Sequence, residues 1–118
     1  MNLLNLEDDK IKSVKVKGHD FKIRWMSPLD RVRITQKRIG LQNGNPVESL
    51  TQDDFAFYEN IATVDTCIEE HPKQFPSHES CVNWPDIEMI NKLAQEIRTH
   101  TSSLEEKLKK NRPIEGSD

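Results

Sequence analysis

From Ser13 to Trp25 the hydrophobic positions recur every second residue: Val14 and Val16 alternate with Lys15 and Lys17, and Phe21, Ile23 and Trp25 alternate with Lys22 and Arg24. This period is that of a half-buried β-strand, and Gly18, His19 and Asp20 between the two runs predict a hairpin turn. A lone hairpin is only marginally stable in water, so its apolar face requires a cover. The following segment supplies one. Ser27 is placed to cap a helix, Pro28 suits its first position, and Asp30 lies in the first turn, with Gly40 as the stop. Leu29, Val32 and Ile39 give that helix a ragged apolar stripe, with Ile34 off to one side, while Arg31, Arg33, Lys37 and Arg38 make the rest basic.

Asn-Gly and Asn-Pro within residues 41–50 mark a loop, after which Thr51, followed by Asp53 and Asp54, opens the clearest helix. Phe57, Ile61, Val64 and Ile68 step by four, three and four, with Phe55, Tyr58 and Ala62 widening the stripe and Pro72 closing it. Residues 71–84 have no regular period but carry Phe75, Val82 and Trp84, as expected of a loop pinned by aromatic anchors. Pro85 begins another helix on Ile87, Ile90, Ala94 and Ile97, and the Ser102–Glu105 and Ser103–Glu106 spacings predict a fresh start for a last short one. The expected fold is therefore α+β and mainly α, an N-terminal β-hairpin followed by three to four helices. Residues 1–12 form an arm, 13–110 a single domain (hairpin 13–25, helices about 28–39, 52–71, 85–99 and 103–110), and 111–118 a disordered tail.

Composition narrows the function classes. Of the 118 residues, 34% are hydrophobic and 31% charged, and seven aromatics are spread over separate segments, so the core is modest and association would help complete it. The net charge of -3 divides unevenly: residues 1–40 hold ten Lys/Arg against five Asp/Glu, and the remainder seven against fifteen. Opposed halves favour attraction within or between chains, and the acidic balance argues against a dedicated nucleic-acid binder. Two cysteines are too few for a disulfide framework and point to a reducing compartment. Acids directly after Leu6 leave no signal-peptide core, and no run approaches the ~18 apolar residues of a membrane span.

Candidate chemistry is sparse. Cys67, His71, His78 and Cys81 could meet around zinc, but Cys-x-x-x-His before a proline lacks the close pairs of structural zinc sites, so packing and loop roles are the simpler reading. Neither a nucleophile with its base nor a paired acid and base stands out, and four glycines make no phosphate cradle, so no catalytic residue and no cofactor are expected. The stripe of residues 55–68 is core by default. Its aromatics nevertheless lie around more of the circumference than one buried stripe needs, which suits a protein contact.

The order of these features resembles the tail assembly chaperones of long-tailed bacteriophages. The shared elements are a basic hairpin ending in Phe21-Lys-Ile-Arg-Trp25, a Ser27-Pro-Leu29 helix start, an acid-capped apolar helix, then Pro, Phe, Asn83-Trp84 and a helix with a Lys-rich end. Gly18 to Leu29, Ala62 to Pro72 and Val82 to Lys110 carry the likeness. The resemblance implies a protein of the host bacterial cytoplasm, absent from the mature virion. It implies that this protein binds the tape measure protein, self-associates into a homo-oligomer and corresponds to the short form where a frameshifted longer one exists. It also makes the tail tube protein a second candidate partner. On that reading the expected partner-binding residues are Phe55, Phe57, Tyr58, Ile61, Trp84, Ile87 and Ile90. The competing readings are a connector protein retained in the virion and a nucleic-acid-binding regulator using the basic helix 28–39.

Overall fold

The computed structural model describes residues 10–72, Cys81, Trp84 and 86–111, with side chains as far as Lys109. Strand β1 (Ile11–Val16) and strand β2 (His19–Arg24) form the expected hairpin, paired antiparallel from Ile11 with Arg24 to Val16 with His19. The turn comes one residue earlier than predicted. Lys17 and Gly18 take φ of 51° and 82°, the positive values that a two-residue turn needs at both central positions to match strand twist, and His19 and Asp20 already belong to β2. The pairing also begins at Ile11, two residues before the expected start, and Trp25 extends it by donating its N–H to the Lys10 carbonyl at 2.7 Å. Residues 1–9 of the expected arm and 112–118 of the expected tail lie outside the described residues.

Helix α1 (Pro28–Leu41) starts where its signals place it, with a reciprocal cap between Ser27 and Asp30. A short 3₁₀ turn (Val47–Ser49) leads to helix α2 (Gln52–Cys67), capped by the Thr51 side chain, which accepts from the Asp54 N–H at 3.0 Å. The predicted continuation of α2 to residue 71 is corrected: the chain leaves the helix at Ile68 and forms strand β3 (Ile68–Glu70). The open edge of β2 accounts for the change. Lys22 and Ile23 pair with Glu70 and Ile68, satisfying backbone groups a lone hairpin would leave to solvent, and Lys22–Glu70 (3.1 Å) and Arg24–Glu69 (2.8 Å) ion pairs add to the match. The sheet is thus three-stranded in the order β1-β2-β3.

Helices expected at 85–99 and 103–110 are one helix, α3 (Ile87–Asn111). Its buried positions Met89, Ile90, Leu93, Ala94 and Ile97 run on through Thr101 and Leu104, so the inward stripe never breaks. Thr101 stands at the place in that stripe where an apolar residue was missing from the pattern. Its hydroxyl donates to the Ile97 carbonyl at 2.8 Å and accepts the Met26 N–H at 3.0 Å, tying the helix to the segment leaving the sheet. The Ser102 and Ser103 spacings therefore start no new helix.

The core joins the inner sheet face (Val16, Phe21, Ile23) to α2 and α3. From Ile61 to Val64, and again at Thr66 and Cys67, α2 is buried around its circumference, as befits a helix packed between α1 and α3. Trp84 caps the sheet side, its ring 5.9 Å from Phe21 and 5.4 Å from His71.

Candidate protein-interaction surface

The expected contact residues do not form one patch. Ile61, Ile90 and Trp84 are core, buried to 0%, 2% and 7% relative exposure, and a partner cannot reach them in this fold. They are ordinary stripe residues of central elements, and the excess of apolar circumference on α2 is consumed by neighbours on two sides. Phe55, Phe57 and Tyr58 are half-buried. Arg38 of α1 lies over the Phe55 ring at 4.8 Å, Phe57 packs against the core, and the Phe57 and Tyr58 rings are 5.9 Å apart. Ile87 is exposed, but it follows Asp86, which Lys17 ties to the hairpin turn at 2.6 Å, far along the chain from the α2 aromatics and beside different neighbours.

Three of the six exposed large hydrophobic residues among those described lie together on α1. Leu29, Val32 and Ile39, the stripe predicted to face the core, are 56%, 52% and 54% exposed, while Ile34, set to one side in that reading, is buried at 3%. The reversal has an electrostatic cause. Asp30 faces inward, where its carboxylate accepts from Arg24 Nη2 at 2.6 Å, Arg24 Nε at 3.3 Å and the Ser27 N–H at 3.0 Å, and Arg24 also donates to Glu69 at 2.8 Å. Burial pushes the Asp30 carboxyl up, but the bonds from Arg24 and Ser27 outweigh it and hold the group below the usual carboxylate range. With Asp30 inward, Ile34 and the half-buried Arg38 and Leu41 follow at helical steps of four, four and three, and the more apolar face is left outside. A helical wheel shows this second face, but only the neighbouring Arg24, six residues away on the sheet, shows which face wins.

Charge is arranged unevenly around the exposed stripe. Arg31 pairs with Glu105 of α3 at 3.1 Å and Arg38 with Glu59 of α2 at 3.0 Å. Arg33 and Lys37 are exposed and form no ion pair among the described residues.

Little else in the structure offers chemistry. Cys67 and Cys81 are free and buried; desolvation pushes the Cys67 thiol up to about 12 and raises Cys81 further. Cys81 is held by its own backbone, its N–H donating to Asp65 at 2.7 Å, and by its thiol on the Ile61 carbonyl at 3.6 Å. His71 packs on Trp84, and His78 lies outside the described residues. Among the described residues no group of three or more His, Cys, Asp or Glu is placed to hold a metal ion. A concavity of 510 Å³ lined by Trp25, Ser102, Glu105, Glu106, Leu108 and Lys109 brings two carboxylates together, but Glu105 is already engaged by Arg31. No described helix is long and apolar enough to cross a membrane.

The fold and its surface define a small, mainly helical α+β domain whose distinctive feature is an outward apolar helix face. No family model, curated protein or solved structure matches the chain.

Proposed function

We propose that the protein is a tail assembly chaperone of the long-tailed phage type, which binds the tape measure protein in the host cytoplasm, masks its apolar helical surface and is left behind when the tail is complete. The observation that carries this reading is the outward face of α1, where Leu29, Val32 and Ile39 are more than half exposed on a helix whose inner face is largely polar. Fully burying one such side chain is worth roughly 1.5–3 kcal/mol, so covering the exposed halves of three yields on the order of 3 kcal/mol before association costs. On its own that is less than the cost of association, so the seam supplies only part of a client's affinity and the rest must come from contacts beside it, which suits a factor that has to release its client. The hairpin and helix-start motifs, Phe21 to Trp25 and Ser27 to Leu29, support the family reading beside it.

Of the four cations on which a nucleic-acid reading would draw, Arg31 and Arg38 are engaged by Glu105 and Glu59, which favours the protein-binding reading. The direct experiment is co-expression with the tape measure protein encoded in the same genome. The expected result is a soluble complex that co-elutes and is missing from purified particles. An insoluble partner with no complex, or stoichiometric recovery of this chain from virions, rejects the assignment.

A further inference from the structure

Resting on the protein-binding reading above, the geometry points to a specific occupant for the outer face of α1: we infer that it docks a single partner helix whose apolar residues repeat with a three-four spacing and whose flank is acidic. Leu29, Val32, Gln36 and Ile39 step by three, four and three. At about 100° per residue they fall within an arc of roughly 80°, centred about 180° from the inward positions Asp30, Ile34, Arg38 and Leu41. They form a narrow seam along the outermost line of the helix. Gln36 is its one polar position, and a polar residue in such a seam sets register at some cost in affinity.

Charge decides the occupant. Arg33 stands beside the seam and Lys37, one turn on, lies on the same side but further round the helix, both exposed and without ion-pair partners among the described residues, and the only carboxylate of α1, Asp30, is buried beneath Arg24. A second copy laid on the same seam would bring both sets of cations to one interface with no exposed α1 acid to answer them. A helix carrying Glu or Asp beside its apolar ridge answers both. The seam also spans about 15 Å, three turns of one helix, and so falls well short of the roughly 800 Å² per partner typical of a stable interface. One short acidic helix, reversibly held, fits it.

Two synthetic amphipathic peptides of about 14 residues, identical at their Leu seam and flanked either by Glu or by Lys, test this by fluorescence anisotropy with the full chain. The Glu-flanked peptide is expected to bind about tenfold more tightly at low salt, with the difference shrinking as salt is raised. Leu29→Gln with Val32→Gln, polar good helix formers at exposed sites, should abolish binding of both peptides while circular dichroism stays unchanged. Arg33→Glu with Lys37→Glu should invert the preference. Equal binding of the two peptides, a preference indifferent to charge reversal, or a homodimer split by Leu29→Gln with Val32→Gln in sedimentation each overturns the proposal. A tape measure complex that survives the Leu29 and Val32 substitutions would overturn this site while leaving the chaperone reading intact. Intact peptide selectivity without any tape measure complex would do the reverse.

Discussion

Replacing Asp30 tests the idea that a buried carboxylate, and not apolar packing, sets the face that α1 turns inward. Its side chain is only 5% exposed and accepts three hydrogen bonds, two from the Arg24 guanidinium and one from the Ser27 N–H. Asp30→Asn keeps the shape and one capping oxygen but removes the charge, weakening two charge-assisted bonds worth about 1.5–3 kcal/mol together with the guanidinium they neutralise. Breaking a fully buried pair costs up to about 5 kcal/mol, but Arg24 is 29% exposed and keeps Glu69, so the lower end applies and about 2 kcal/mol is expected. Asp30→Ala also loses the cap, adding about 1 kcal/mol, and should lower the melting temperature by roughly 10 °C in a domain of this size. The pH dependence follows from the depressed carboxyl. Because its folded pKa lies below the unfolded value of about 3.9, its stabilisation is fully present above that pH and is lost as pH falls through the folded pKa. Urea denaturation should therefore show a constant gap between wild type and Asp30→Asn from about pH 5 to 8, closing below about pH 4, with unchanged m-values. A gap below about 0.5 kcal/mol at pH 7, or one that persists undiminished into strong acid, would refute the argument.

Thr101→Val, nearly the same shape, should cost about 1–3 kcal/mol in urea denaturation because it strands the Met26 N–H, which Thr101 accepts at 3.0 Å; a neutral result would mean that N–H has another partner. Ser102→Ala with Ser103→Ala should raise the melting temperature slightly, since both lie inside continuous α3 where Ala is the better former, whereas a helix start there would lose about 1 kcal/mol per cap. Cys67 and Cys81 should resist a thiol reagent at pH 8 in the native protein and react fully once it is unfolded, because burial keeps both protonated; rapid native labelling of either would contradict their placement.

The parts of the fold legible in the sequence are those set by local pattern. Alternation marked Val14, Val16, Phe21 and Ile23 as the inner sheet face, and the Ser27-Pro28 and Thr51 caps fixed two helix starts. What stayed hidden depends on partners distant along the chain. Ile68–Glu70 is too short to show a period, and its strand character comes from β2, some 45 residues earlier, as the Arg24–Glu69 bond records. The continuity of α3 turned on Thr101, whose polarity reads as an interruption until Met26 is seen to need its oxygen. The exposed apolar face of α1 stayed hidden for a related reason. Three exposed apolar residues on α1 looked like core because counting apolar positions weights them above one aspartate, and the aspartate wins once Arg24 stands beside it.

That outcome says something about how the outward face is maintained. Turned about 180° on its axis, α1 would bury Leu29, Val32 and Ile39 but would carry Gln36 into the core with them and pull Asp30, Arg31 and Arg38 from Arg24, Glu105 and Glu59. Burying Gln36 without a partner costs about 1–3 kcal/mol, and together with Arg24 deprived of Asp30 this offsets what three half-exposed aliphatic side chains return on burial. The ion pairs therefore act less as a source of stability than as a choice of orientation, holding an apolar seam in water against the hydrophobic effect. Polar residues at 29, 32 and 39 would disturb none of those contacts, so the fold does not itself require the seam.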